Sequence, residues 1–295
     1  MKNKNWKYYA TCYGFALPYF IIFCIFTVLP VALSIVIGFT DFNMLETPNF
    51  VGFDNYIRLF LEDDVFIIAL KNTVILAIVT GPISYIMALL IAWVINELNP
   101  VMRSFVTTIL YAPSLAGNVL LMWTVLFSSD SYGYINGWLL ELGLIDEPIR
   151  WFFDKKYIMP LVIVVVLWSS MGTNFLSFIA GLQGVDKSLY EAAAMDGVKN
   201  RFQELWFITL PSMRPQLLFG AVMSISSSFG IGAVVTQLVG FPSTDYAAHT
   251  IINHLEDYGG IRFEMGYASS IATVLFAIML LVNFVVKKAI SKIGE

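Results

Sequence analysis

The sequence predicts an all-α integral membrane protein with six transmembrane helices and both termini in the cytoplasm. Three observations predict it. Of 295 residues, 58% are hydrophobic and only 13% are charged, whereas a soluble globular protein carries about 25% charged residues. Six apolar runs reach the roughly 20 residues that cross a bilayer as helix. The cations between those runs alternate in density, as the positive-inside rule requires. Other classes are excluded on the same grounds. The chain is too apolar for disorder and has too few basic residues for a nucleic-acid-binding surface.

The first run covers about 13–39 and follows MKNKNWKYY, which has the charge of a signal n-region. It is longer than a signal h-region and no small-residue cleavage site ends it, so it reads as an uncleaved span. Pro18 and Pro30 are placed to break it. The other runs cover about 67–95, 104–127, 158–182, 214–238 and 267–287. Pro82, Pro113 and Pro160 lie within or at the start of spans. A membrane helix tolerates proline where neighbouring helices or water satisfy the freed carbonyl.

With the N-terminus inside, Lys2, Lys4, Lys7, Arg103, Lys187, Lys199, Arg201, Arg214, Lys287, Lys288 and Lys292 face the cytoplasm. Arg58, Lys71, Arg150, Lys155, Lys156 and Arg262 face outward, eleven against six. The outer loops near 40–66, 128–157 and 239–266 carry turn residues and aromatics, with room for short helices at the surface. His249 and His254 belong to the last of these and read as solvated loop histidines. The inner segment 96–103 is short, and 183–213 is long. No separate soluble domain stands out, so 1–295 reads as one transmembrane domain. Cys12 and Cys24 lie in or beside the first run and read as buried spectators. No CxxC, HExxH, GxSxG or phosphate loop is present, so no metal site or catalytic residue is expected.

Residues 183–213 hold the clearest local pattern. Ser188 followed by Glu191 has the spacing of a capping box. Glu191-Ala192-Ala193-Ala194-Met195 continues a short helix of strong formers, and Gly197 stands where a glycine ends a helix. Asn200 and Gln203 open a second helical piece, and Pro211 and Pro215 punctuate the entry to the fifth span. A short helix with a bare alanine face fits a groove on a soluble partner. It equally fits an amphipathic connector on the membrane, and the residues alone leave both open.

Glu191-Ala192-Ala193-x-x-Asp196-Gly197, followed by Ile208-x-Leu210-Pro211, resembles the EAA loop of ABC importer permeases. The Asp before Gly, and Ala180-Gly181-Leu182-Gln183 upstream, resemble the carbohydrate-uptake branch of the maltose and glycerol-phosphate type. Leu29-Pro30, Ser34, Phe39-Thr40-Asp41, the stretch Phe50 to Tyr56, Asn72-Thr73 and Gly266-Tyr267-Ala268 are similar to that branch as well. The likeness therefore covers nearly the whole chain. Val198 departs mildly, since the family usually carries Ala after the Gly.

The resemblance implies the type I ABC importer permease fold and a location in a bacterial cell membrane. It implies a second permease subunit, two ATPase subunits that hold ATP and Mg, and an extracytoplasmic sugar-binding protein. No cofactor is expected on this chain. Glu191, Ala192, Ala193, Asp196, Gly197, Leu210 and Pro211 would couple it to the ATPase.

A sugar is polar and uncharged, so its path needs hydroxyls, amides and aromatic faces. The middles of spans one, four, five and six hold almost no ionisable residue, which argues against an ion-coupled carrier. A membrane enzyme would need paired carboxylates or a nucleophile within the spans, and none is seen. An anionic solute such as glycerol phosphate would ask for cations in the path. In span five, Gly220, Ser224, Ser228 and Gly232 form a small-residue stripe suited to helix packing. The resemblance places Ser226, Ser227 and Phe229 of span five, and Ser169, Ser170 and Thr173 of span four, near the substrate. Trp168 offers a stacking face or a helix-interface filler, and Asn118 in span three raises the same choice.

Overall fold

The computed structural model describes residues 3–290. The described chain is helical, and its one bridge between extended segments pairs Thr40 with Phe50. It divides into two compact units. One comprises residues up to Asp63 together with Leu255–Leu275; the other comprises Asp64–His254 and the segment from Phe276. Lys2 and Lys292, used above to orient the chain, lie outside the described residues.

In the first unit, α1 (Asn3–Phe23) and α2 (Leu29–Ile37) join through a π turn at Cys24–Val28. Pro18 and Pro30 therefore do not end the run. Helix continues from Tyr8 to Ile37, the most apolar stretch of the chain, and carries no buried side chain. Cys12 and Cys24 are exposed, contrary to the expectation of burial, because among the described residues no element covers that helix. The short α3 (Asp54–Leu61) is tied back by Asn55, whose Nδ2 donates to Gly38 O at 3.0 Å and Thr40 O at 2.8 Å. Arg58 of α3 pairs with Glu264 at 2.6 Å and lies over the Tyr258 and Tyr267 rings.

The second unit is built on α4 (Asp64–Asn96), a 33-residue helix that carries Pro82 without breaking. Three interrupted helices and a connecting loop follow. α5 (Pro100–Leu115) and α6 (Leu120–Leu126) meet at 84°. α7 (Tyr134–Glu141) lies in the next loop. α8 (Lys155–Trp168) and α9 (Thr173–Gln183) are separated by Ser169–Gly172. α10 (Lys187–Met195), α11 (Arg201–Glu204), a π turn at Leu205–Thr209 and α12 (Leu210–Ser212) form the 183–213 segment. α13 (Arg214–Phe229) and α14 (Gly232–Val239) meet at 43°. α15 (Ile251–Glu256) and α16 (Met265–Ile290) are the last helices of the described residues, and their stretch Leu255–Leu275 belongs to the first unit. Four helical stretches are long and apolar enough to cross a membrane, and six are if each bent pair counts as one span. Their limits fall within a few residues of the apolar runs.

Two apolar clusters hold this unit. Leu76, Ile158, Val162, Val165 and Val235 join α4, α8 and α14. Ala88, Ala92, Phe175, Phe178, Leu210, Met213 and Leu217 join α4, α9, α12 and α13. The small-residue stripe packs as expected. Gly220 faces the Phe178 ring, Ser228 faces Gly81, and Gly232 faces Ile252. His249 and His254 are each 2% exposed, not solvated. Asn72 Nδ2 donates to Tyr246 O and His249 O, and Thr73 Oγ1 accepts from Ile251 N. These contacts draw the loop onto α4 and bring the two imidazoles among Phe66, Phe241 and Tyr246.

Candidate functional site

The three interruptions converge. A cavity of about 440 Å³ lies where the α5–α6, α8–α9 and α13–α14 breaks meet the middle of α4. Its wall is hydroxyl- and amide-rich: Thr80 and Ser84 from α4, Ser114 from α5, Ser169, Ser170, Thr173 and Asn174 around the second break, and Ser224, Ser227, Ser228 and Gln237 around the third. Among the described residues no charged side chain lines it. A glycine lies at each break: Gly117, Gly172 and Gly230. Non-helical backbone at membrane depth is tolerated where it is buried in protein or lines a water-filled cavity.

Much of the polar wall is already engaged. Thr80 Oγ1 donates to Leu76 O at 2.8 Å, Ser169 Oγ to Val165 O at 3.0 Å, Ser170 Oγ to Leu167 O at 2.6 Å and Ser227 Oγ to Met223 O at 2.9 Å. Each hydroxyl spends its proton on its own helix and keeps lone pairs to accept from a ligand. Asn174 is buried, and its Nδ2 donates to Ser224 Oγ at 2.9 Å, pinning α9 to α13 at the wall. Gln237 lines the cavity as well and is exposed.

Four residues expected in the path sit here: Ser169, Ser170, Thr173 and Ser227. Four others sit elsewhere. Trp168 packs edge-on against Trp123 at 5.4 Å. Phe229 is buried and faces an apolar cleft between α4, α13 and the last turns of α16. Ser226 lies on α13 and Asn118 at the α5–α6 break, and neither is part of the wall. The sequence reading missed Thr80, Ser84, Ser114 and Gln237. A glycine in the middle of three apolar runs was the available signal.

The 183–213 segment forms a second site. α10 carries no buried side chain, and Glu191, Ala192, Asp196 and Gly197 are exposed while Ala193 is half-buried. Its N-cap is Asp186, which accepts from Ser188 N at 3.0 Å, so the Ser188–Glu191 capping box is not formed. The local reason is register: the helix begins at Lys187, which leaves Ser188 inside the first turn. Those bonds hold the Asp186 carboxyl below its ordinary pKa. Gly197 ends the helix with φ +92°, and Val198 N bonds back to Ala193 O at 3.0 Å. Asn200 caps α11 by accepting from Gln203 N at 2.9 Å. Leu210 is buried in the core, and Pro211 is half-buried beside it. Met195, Phe202, Trp206 and Phe207 stand exposed on this segment.

Interrupted membrane helices around a polar, uncharged cavity, with an exposed helical loop at one end, define the class as a membrane permease. Comparison with known proteins gives the family. The model for the binding-protein-dependent transport system inner membrane component matches residues 81–293. The probable ABC transporter permease protein YesP of Bacillus subtilis (strain 168) is 31% identical over 285 residues, 95% of this chain and 90% of that protein. The lactose transport system permease protein LacF of Rhizobium radiobacter is 32% identical over 275 residues, 91% and 89% of the two chains. The crystal structure of a bacterial ABC transporter involved in the import of the acidic polysaccharide alginate superposes with a TM-score of 0.75 at 27% identity. It covers 97% of this chain and 98% of that one. The chain belongs to the binding-protein-dependent transport system inner membrane component family, and it is an ABC importer permease. The resemblance drawn from Glu191–Gly197 and Leu210–Pro211 is borne out.

Proposed function

We propose that this chain is one of two permease subunits through which a neutral sugar or short oligosaccharide enters the cytoplasm by alternating access. The observation that carries the substrate class is the cavity wall, rich in hydroxyls and amides and without a charged side chain. A neutral sugar matches such a wall, whereas an anion at membrane depth needs a paired cation. Relatives named for lactose, diacetylchitobiose and arabinooligosaccharide uptake support a sugar. The alginate and sn-glycerol-3-phosphate systems, also similar, are named for acidic substrates.

Ser169, Ser170, Thr173 and Ser227 are the wall residues assigned to the sugar, joined by Asn174 and Gln237. Trp168, Ser226, Phe229 and Asn118 would act from behind the wall. The energy comes from two ATPase subunits that hold ATP and Mg, and a binding protein delivers sugar to the outer side. A similar transporter is described in complex with a periplasmic protein bound to alginate pentasaccharide. α10, with Glu191, Ala192, Ala193, Asp196 and Gly197, is the coupling helix, and Leu210 and Pro211 anchor its return into the core. Its exposed alanine face and the neighbouring Met195, Phe202 and Trp206 offer an apolar footing for a soluble partner. On this reading both termini lie in the cytoplasm, in keeping with the lysine and arginine distribution.

The test is co-purification of a tagged copy from its native membrane, with partners identified by mass. An ATPase and a second permease are expected, and replacing Gly197 by valine should release the ATPase. Recovery of the chain alone, under detergent that preserves other complexes, refutes the proposal. Reconstituted complex should then import neutral oligosaccharides and reject uronates of equal length.

A further inference from the structure

An unbroken chain of polar contacts joins the coupling helix to the far end of α4. Tyr190 Oη lies 2.9 Å from Thr209 Oγ1. Thr209 donates its own proton to Glu204 O at 3.2 Å, so Tyr190 is the donor to Thr209. The Glu204 carboxylate accepts from Arg201 Nη1 at 2.9 Å, and Arg201 Nη2 reaches Glu97 Oε2 at 2.9 Å. Trp93, one turn before Glu97, packs against Phe202 at 5.4 Å between ring centroids. Arg103 fixes the turn that carries Glu97 by donating to Asn96 O and Leu98 O.

Two observations separate these contacts from ordinary packing. A cleft of about 740 Å³ lies between α10 and the end of α4, lined by Trp93, Glu97, Arg103, Tyr190, Glu191 and Arg201. Across a cleft a push passes only through groups that bridge it, here the Arg201–Glu97 pair and the Trp93–Phe202 contact. The Arg201 and Glu97 side chains are 63% and 49% exposed, and an ion pair so placed adds little to fold stability. From Glu97, just past the end of α4, the α4 rod runs about 20 Å to Ser84 and about 26 Å to Thr80 in the cavity wall, at roughly 1.5 Å per residue.

We propose that Arg201 is a positioning residue that ties the coupling loop to α4, so that displacement of α10 shifts Thr80 and Ser84 in the wall. The proposal rests on the importer reading above. A ligand or nucleotide state biases the wall only through groups that differ between the two arrangements, and the Tyr190–Thr209–Glu204–Arg201–Glu97 relay is such a group of contacts. Links in series have a further property: cutting one leaves nothing for a second cut to remove.

The experiment uses the full complex in proteoliposomes with its binding protein and a neutral oligosaccharide, and reads ATP hydrolysed per sugar imported. Absence of ATP-driven import by wild type overturns the importer reading itself. With wild type coupled, Arg201→Ala and Tyr190→Phe should each raise the ATP cost per sugar by about two- to fivefold, the range open to the exposed Arg201–Glu97 pair that limits the series. Complex yield should stay at the wild-type level. The double variant should match either single one, and Arg201→Lys should stay near wild type. Unchanged coupling in Arg201→Ala, or multiplying effects in the double variant, overturns the relay.

Discussion

Replacing Gly220 by alanine places a methyl group where the Phe178 ring lies. An ideal Cβ there falls 2.5 Å from Phe178 Cζ and 2.6 Å from Cε1. Ordinary carbon contacts are about 3.5–4.0 Å, so the ring must withdraw by roughly 1 Å. It has nowhere to go. Phe178 is fully buried, lies edge-on to Tyr85 at 5.3 Å, and is enclosed by Ala88, Ala92 and Leu217. The strain must open α9 from α13, and overpacking of that kind costs about 1–3 kcal/mol. Thermal unfolding of the purified protein in detergent should fall accordingly. Phe178→Leu alone leaves a void and destabilises as well, but the added methyl fills part of that void. The double variant should therefore be more stable than the sum of the two single effects by about 1 kcal/mol, within the range seen for touching residues. A Gly220→Ala protein that melts with wild type, or strictly additive effects, refutes the packing argument.

Other consequences follow from single contacts. Asn253 donates to Gly232 O and Thr236 Oγ1 and accepts from Thr250 N and Oγ1, so Asn253→Ala should cost about 2–4 kcal/mol in the same unfolding assay; wild-type stability would remove it as the joint between α14 and α15. Ser227→Asp puts a carboxylate in the neutral wall and should abolish sugar import without loss of complex, as read by uptake and co-purification; retained uptake would move the path elsewhere. The Asn49 N–H and Nδ2 hold the Asp41 carboxyl below its ordinary value of 3.8, so this turn is intact at neutral pH and is lost only as pH falls through that depressed value. Protection of the Asn49 amide from hydrogen exchange, corrected for its intrinsic rate, should stay flat from pH 7 to about pH 4; loss above about pH 5 would contradict the sign.

The spans were legible because a bilayer demands one thing, about 20 apolar residues, and the chain writes it plainly. The breaks were not, since a glycine such as Gly117 or Gly230 leaves the apolar run intact and costs only about 1 kcal/mol within a helix. The coupling segment was legible where the backbone asks for a particular residue: Gly197 at φ +92° and Asn200 as a cap. It was misread where two residues compete for one role, as Asp186 and Ser188 do for the cap of α10. His249 and His254 were misjudged because their burial depends on Asn72 and Thr73, some 180 residues earlier, and no local pattern reports such a contact. The wall was half legible for a related reason. Ser169, Ser170, Thr173 and Ser227 stand in obvious hydroxyl clusters, but Thr80, Ser84 and Gln237 are isolated in apolar helices and gain meaning only from convergence.

That convergence follows from a constraint on the backbone as much as from side chains. An interrupted helix leaves unpaired N–H and C=O groups, and lipid supplies no partner for them. Local bonds answer part of the need: Gly172 N to Ser170 O at 2.8 Å, Gly230 N to Ser226 O and Ser227 O at 3.1 Å, and Val119 N to Ala116 O at 3.2 Å. The rest must face water or a hydroxylated ligand. Three breaks scattered over the unit would each require a separate wet site, whereas three breaks at one cavity share it. The shared site then offers a sugar backbone groups in fixed orientation beside hydroxyls such as those of Thr80, Ser169, Ser170 and Ser227, whose protons are already committed. Those hydroxyls accept hydrogen bonds more readily than they donate them. They suit the many O–H donors of a neutral sugar, whereas a carboxylate would meet no cation among the described residues of the wall.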